Sequence, residues 1–106
     1  MAPLLEELNQ LLQSFQKVAD AKDWHQYHTP KNLTSAIAVE AAELMEVLQW
    51  HKSEQSLSAT EKQQLADEMA DVFLYLLCLA DKIDVDLVAA AQTKMQQKLA
   101  QITQGR

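Results

Sequence analysis

The sequence predicts an all-α fold, and three observations lead to that prediction. One of its 106 residues is glycine and two are proline, and both prolines lie in the first third of the chain. No strong helix breaker therefore interrupts residues 32–104. Apolar residues, which make up 48% of the chain, recur at helical spacing. Because the connections are short, we expect one domain, residues 1–106, folded as a four-helix bundle of antiparallel neighbours.

The first predicted helix covers roughly residues 3–20. The stretch "DAKDWHQYHTPKN" then interrupts the periodicity, and Pro30 biases Thr29 away from helical geometry. A loop with aromatic residues and histidines is expected there. The apolar face of the first helix follows a spacing of three and four residues and consists of Leu4, Leu8, Leu11, Leu12, Phe15 and Val18.

The second predicted helix runs from about Asn32 to Trp50. The third begins at a capping box, in which Ser58 is followed three residues later by Glu61. Its apolar residues continue to about Ile83.

A fourth helix follows, capped by Asp84 or Asp86, and reaches about Gln104. Its predicted inward face consists of Leu87, Ala91, Met95, Leu99 and Ile102.

Charge and composition exclude several classes of protein. A net charge of −6 disfavours binding to a nucleic-acid backbone, which needs clustered Lys and Arg. No apolar run is long enough for a signal peptide or a membrane span. The lone Cys78 cannot form an internal disulfide, so it indicates a small core residue in a reducing compartment. We therefore expect a soluble cytoplasmic protein, with His25 and His51 on its surface.

The second predicted helix carries three glutamates along an apolar sequence, "AVEAAELMEVLQW". At about 100° per residue, Glu40 lies at the edge of the buried stripe and Glu43 about 60° further out. Glu46 lies about 120° away, which predicts a solvated side chain. The buried stripe consists of Leu33, Ile37, Leu44 and Leu48.

The third predicted helix repeats this arrangement with Glu68 at the stripe's edge and Asp71 about 60° beyond it. For any single acid pair, a solvated helix face is the simpler explanation. The third helix, however, is apolar almost all round, so its acids are not expected simply to face bulk water. Four convergent carboxylates would repel one another unless a cation neutralised them. Oxygen ligands without Cys, and without His at Glu-x-x-His spacing, suit Mg²⁺ or Mn²⁺.

Glu40-x-x-Glu43, twenty-four intervening residues and Glu68-x-x-Asp71 together resemble the signature of MazG-like nucleotide pyrophosphohydrolases, in the all-α NTP pyrophosphatase superfamily. The stretches "KDWHQYHTPKNL", "LQWHK" and "DVFLYLLCLADKIDVDL" are similar to the dCTP pyrophosphatase branch. The resemblance covers roughly residues 24–95. It implies Mg²⁺-dependent hydrolysis between the α and β phosphates, with the four acids holding the metal. Either Glu40 or Glu43 could take the proton of the attacking water.

The resemblance also implies which residues surround the nucleotide, with cytosine or a modified cytosine as the first choice of base. Trp24, His28, Trp50 and Tyr75 would lie around base and sugar. Helical geometry places Trp50 within about 20° of Glu43, and Tyr75 within about 20° of Glu68. The alternative assigns these aromatic residues to the core or to a dimer interface.

Basic and polar residues near two helices are candidate phosphate contacts. Lys31 and Asn32 open the second helix, where free N–H groups favour anions, although ordinary capping explains them as well. Lys94 and Lys98 share one face of the fourth helix, and Lys98 stands where relatives often carry Asn. The widely apolar helices and the resemblance both predict a homo-oligomer, a dimer or a dimer of dimers.

Two other functions remain open at this point. A di-iron carboxylate oxidase on a four-helix bundle normally needs Glu-x-x-His pairs, which the sequence lacks. A non-enzymatic dimeric interaction module would leave the four acids without a role.

Overall fold

The structure is a computed structural model that describes residues 2–52 and 54–104, with side chains from Glu6 onward. It contains four α-helices and a short 3₁₀-helix at residues 25–27, and the described residues form no strand. The all-α prediction is therefore confirmed. None of the described helices is long and apolar enough to cross a membrane. The helices are α1 (Ala2–Ala21), α2 (Pro30–Val47), α3 (Ala59–Lys82) and α4 (Leu87–Thr103).

Local capping explains where α2 and α3 begin. The Oγ1 of Thr29 accepts the Asn32 N–H at 3.2 Å, and Pro30 occupies the first turn of α2. At α3 the predicted capping box is present, since Ser58 Oγ accepts the Glu61 N–H at 3.0 Å and Glu61 accepts the Ser58 N–H at 2.8 Å.

The helices α2 and α3 form the most extensive pair, and α1 packs against α3 over a smaller area. The side chain of Leu33 on α2 is fully buried between the helices. The rest of the predicted α2 stripe is half-buried, as expected for a helix that covers one side of α3. The buried apolar residues are Ala19, Leu33, Cys78 and Ala80.

α1 and α3 end in the same way. Asp23 and Asp84, two residues past the helix ends, have positive φ angles of 56° and 58°. The next N–H reaches back to the carbonyl of a buried alanine in each case, Trp24 to Ala19 at 2.8 Å and Val85 to Ala80 at 2.9 Å. This is the Schellman arrangement, here with aspartate where glycine is usual.

Two sequence expectations about helices are wrong. α2 ends at Val47 rather than near Trp50, because residues 48–50 leave the helix as a turn. α4 does not turn its apolar face inward. It has at most marginal contact with the other helices, so only Leu87 of that face is half-buried. The remaining predicted core residues of α4 are exposed, namely Ala91, Met95, Leu99 and Ile102.

The apolar face of α1 is partly as predicted. Leu8, Leu12 and Phe15 are half-buried, whereas Leu11 and Val18 are exposed. The side chain of Leu4 lies outside the described residues.

Candidate metal centre and aromatic group

The pairing of α2 with α3 brings three of the predicted acids together. Glu40, Glu68 and Asp71 each offer one carboxylate oxygen, and these atoms all lie within 4.8 Å of one another. Oε2 of Glu40 and Oε2 of Glu68 are buried and have no hydrogen-bond partner among the described residues. Burying a carboxylate oxygen without a hydrogen-bond partner is costly. No described residue donates a hydrogen bond to either of these two oxygens.

The fourth acid, Glu43, lies at the edge of this cluster. A proton shared with its carboxylate, together with its charge, contributes to the raised pKa of Glu40 and of Glu68. Glu43 also lines an open cavity of about 530 Å³, together with Glu46, Val47, Gln64 and Glu68. Glu46 is exposed, as the sequence predicts.

The electrostatics of the cluster follow from burial and from like charge. Burial, the hydrogen bond with Glu43 and the charges of Glu43, Asp71 and Glu68 raise the pKa of Glu40 to about 6. Burial and then the neighbouring acids, Glu43 foremost, also raise the pKa of Glu68. Within residues 2–52 and 54–104, no Lys or Arg side chain forms an ion pair with any of the four carboxylates. Their repulsion is therefore not neutralised by an ion pair in the described part of the chain.

The donor set fits a hard divalent cation. Two oxygens on one Mg²⁺ lie at most about 4.2 Å apart, so small side-chain rotations would bring all three carboxylates onto one ion. No histidine or cysteine joins the cluster in the part of the chain that the structure describes. The site therefore offers oxygen ligands only, and it lacks the histidines of a di-iron oxidase.

Four rings form an aromatic group beside the acids. Phe15 lies 5.7 Å from His28 and 5.5 Å from Tyr75, and Trp24 lies 6.0 Å from His28, all measured between ring centroids. His28 also lies 6.2 Å from Tyr75. Burial and then the charges of Glu40 and Asp71 raise the pKa of the Tyr75 hydroxyl, so this ring borders the acidic cluster. The structure thus brings together three of the four predicted base-contacting residues.

Phe15 is a member of this group that the sequence does not single out. Its position on the apolar face of α1 assigns it to the core, and no sequence pattern distinguishes it from its leucine neighbours. Burial, then the charges of His25 and Lys82, lower the pKa of His28, which favours its neutral form. A neutral imidazole among three aromatic rings suits contact with a base better than with a phosphate.

Trp50 does not join the aromatic group. Its side chain is 88% exposed, and it lies beyond the end of α2. The expected direction close to Glu43 rests on a helix that continues through Trp50, whereas α2 ends at Val47, so the contact of Trp50 with the base stays a prediction.

The predicted phosphate contacts lie on the exposed surface. Lys31 is exposed, and Asn32 has local contacts, since its side chain donates to the Tyr27 carbonyl at 3.0 Å and its N–H is capped by Thr29. These contacts agree with the capping explanation of Asn32, and its contact with phosphate stays a prediction. Lys94 and Lys98 lie on the exposed part of α4 and are not among the charges that act on Glu40 or Glu68.

Comparisons with known proteins agree on one group of relatives. The sequence profile of the MazG-like family matches residues 35–105. The chain is 38% identical over 97 residues to dCTP pyrophosphatase 1 of Bos taurus and also to that of Homo sapiens, across 88% of its own length. It spans 56% and 55% of those proteins, slightly more than half their length. A solved pyrophosphatase from Archaeoglobus fulgidus superposes with a TM-score of 0.70 at 35% identity, covering 92% of this chain and 90% of that one.

Proposed function

The chain belongs to the MazG-like family, and from that premise we propose that it is a nucleoside triphosphate pyrophosphohydrolase. It would use a divalent metal ion to cleave a nucleotide into the monophosphate and pyrophosphate. The observation that carries the proposal is the pair of buried carboxylate oxygens on Glu40 and Glu68 that lack hydrogen-bond partners among the described residues. Relatives named dCTP pyrophosphatase and pyrophosphatase support the type of reaction.

Glu40, Glu68 and Asp71 are the residues that would hold the ion, Mg²⁺ or alternatively Mn²⁺. A bound divalent ion supplies charge neutralisation on the phosphates and lowers the pKa of water. Glu43 lies against this cluster and faces the open cavity, so its carboxylate can orient the attacking water and accept its proton. Glu40 would assist through its hydrogen bond with Glu43.

For the base we propose a cytosine or modified cytosine that contacts the aromatic group of Phe15, Trp24, His28 and Tyr75. Stacking on such rings contributes about 1–3 kcal/mol per base. The neutral His28 ring offers one donor and one acceptor for a base edge. Trp50 would join the site only through a movement of its connection or through contact between subunits.

We also propose a homo-oligomer in the cytoplasm. The exposed apolar face of α4 supports assembly, and the free buried thiol of Cys78 supports a reducing compartment. Lys31, Lys94 and Lys98 would then meet phosphates only if a second copy of the chain brings them to the site.

The test is hydrolysis of a panel of nucleoside triphosphates, with monophosphate and pyrophosphate measured directly. Glu43→Gln and Asp71→Asn should each lower kcat by about 10²- to 10⁴-fold, with helical circular dichroism unchanged. Asp67→Asn is the matched control, because it removes an exposed carboxylate of α3 and should retain activity. Full activity in excess EDTA, or in either site variant, would contradict the proposal. Preference for a purine would contradict the assignment of the base alone.

A further inference from the structure

The connection between α2 and α3 is bridged by His51. Its side chain is 9% exposed, although the sequence assigns it to the surface. Nδ1 lies 2.9 Å from Oε2 of Glu61 on α3, and Nε2 lies 2.9 Å from the main-chain oxygen of Gln55. One ring therefore joins the connection to the first turn of α3.

Both partners of the ring are hydrogen-bond acceptors. Gln55 contributes a carbonyl oxygen, and Glu61 a carboxylate whose other oxygen already accepts the Ser58 N–H at 2.8 Å. A neutral imidazole has one N–H, so it would leave a ring lone pair facing an oxygen lone pair. Only the imidazolium form, with two N–H groups, satisfies both contacts.

The charges around the ring favour the same form. The bond to the Gln55 carbonyl and then the bond to Glu61 raise the pKa of His51 above its ordinary 6.5, against the opposing effect of burial. The Ser58 N–H and then His51 lower the pKa of Glu61. Glu61 is the charged group that faces the ring from α3. On the connection itself the charged neighbours are Lys52 and Glu54, both exposed.

The bridge reaches the part of α3 that lines the candidate site. Gln64 and Glu68 follow Glu61 by about one and two turns of α3 and line the cavity of the acidic cluster. The two contacts of one ring therefore tie the connection to the helix that forms one side of this cavity.

We propose that His51 is a positioning residue, whose imidazolium bridge from Gln55 to Glu61 fixes the first turns of α3, and with them Gln64 and Glu68, for nucleotide binding. The effect on nucleotides rests on the proposed function, whereas the bridge itself does not.

The first measurement is the protonation of the His51 ring in ¹⁵N-labelled full-length protein. Both ring nitrogens should carry protons at pH 6.5, and the titration midpoint should lie above 6.5, the ordinary value. Glu61→Gln should lower that midpoint, whereas Lys52→Gln, which removes an exposed neighbouring cation, should not. A neutral ring at pH 6.5, or a midpoint insensitive to Glu61→Gln, would overturn the bridge.

The second measurement is the pH dependence of Tm for His51→Gln against the parent. A histidine whose pKa is raised on folding stabilises the folded state. This stabilisation is fully present below the unfolded pKa of 6.5 and is lost as pH rises through the folded pKa. The Glu61 contribution is present above 4.5 and is lost as pH falls through its lowered pKa. The Tm difference should thus be largest between pH 4.5 and 6.5. Ser58→Ala, which removes a cap, should lower Tm by a similar amount throughout. A Tm difference between His51→Gln and the parent that does not change with pH would contradict the proposal.

The third measurement is steady-state kinetics with dCTP at pH 6.5 and above. At pH 6.5, His51→Gln should raise KM several-fold more than it lowers kcat. The difference in KM between the variant and the parent should narrow as pH rises, because the parent then loses the bridge as well. A KM of His51→Gln equal to that of the parent, or an increase in KM that is the same at every pH, would overturn the positioning role. If the parent hydrolyses no nucleotide, the proposed function fails, while the ring titration still decides the bridge.

Discussion

Glu40 and Glu68 carry the unfavourable electrostatics of the candidate site. Each has a buried carboxylate oxygen without a partner among the described residues, and burial, then the other acids of the cluster, raise the pKa of both. Without a cation, folding therefore holds like charges together in a poorly solvated place. With a bound ion the cluster would stabilise the folded state instead, because any ligand that binds only the folded state stabilises it.

Removing the charge at Glu40 should stabilise the metal-free protein in a pH-dependent way. The pKa of Glu40 rises from 4.5 to about 6 on folding, so its ionisation opposes folding increasingly as pH rises from 4.5 to 6 and beyond. Glu40→Gln cannot ionise. In EDTA its Tm should equal or fall slightly below that of the parent at pH 4.5, and exceed it above pH 6.

Two comparisons make this result specific. Glu46→Gln removes an exposed carboxylate of the same helix and should shift Tm little, since water solvates that group. Saturating Mg²⁺ should reverse the order, with the parent gaining more Tm than Glu40→Gln. A variant that melts below the parent in EDTA above pH 6 would show that Glu40 has a stabilising partner instead.

α1 and α3 end without the help of glycine. Asp23 and Asp84 adopt the left-handed conformation, which costs an L-residue about 1–2 kcal/mol but which Asp and Asn tolerate better than most. A negative side chain at a helix C-terminus is also opposed by the helix dipole. In return, the arrangement provides hydrogen bonds to carbonyls in the last turn of each helix, including those of the buried Ala19 and Ala80.

Glycine at position 84 should therefore stabilise the fold. We expect Asp84→Gly to raise the free energy of unfolding by about 0.5–1 kcal/mol, and Asp84→Val to lower it by about 1–2 kcal/mol. Asp67→Gly, inside α3, should lower the free energy of unfolding by about a few tenths of a kcal/mol, because glycine is the poorer helix former. Urea midpoints at one fixed protein concentration measure all three. A destabilised Asp84→Gly would mean that the carboxylate has a role beyond ending the helix.

The molecule is more open than a compact domain of its length. Its radius of gyration is 16.9 Å, against about 13 Å for a compact domain of this length. Residues 89–104 of α4 are exposed throughout. Met95, Leu99 and Ile102, which recur at helical spacing, are 53%, 58% and 69% exposed. An apolar helix face of this kind usually marks an interface.

Light scattering should give a mass of at least twice that of the chain at micromolar concentration. Leu99→Glu should reduce that mass or unfold the protein, because it places a charge on the apolar face of α4. Gln97→Glu adds the same charge to α4 at an exposed polar position and should leave the mass unchanged. A folded, active monomer for the parent, or an unchanged mass for a folded Leu99→Glu, would contradict this assembly.

The sequence by itself determined those features that depend on near neighbours along the chain. Helix content follows from composition and from the spacing of apolar residues, and the capping box at Ser58 from two residues three apart. The two acid pairs were identifiable because each repeats along one helix face, and the solvated position of Glu46 followed from the same angle. These are local properties of a helix, so no knowledge of its partners is needed.

Tertiary structure alone decided which side chains meet. The register of α2 against α3 brings Glu40, Glu68 and Asp71 within one ion's reach and leaves Glu43 at the edge, and the fold brings Phe15 to Tyr75. α2 stops at Val47, which leaves Trp50 exposed, and α4 has at most marginal contact with the other described helices. An apolar face encodes the need for a partner but does not specify which surface provides it. That choice depends on contacts between residues far apart in sequence.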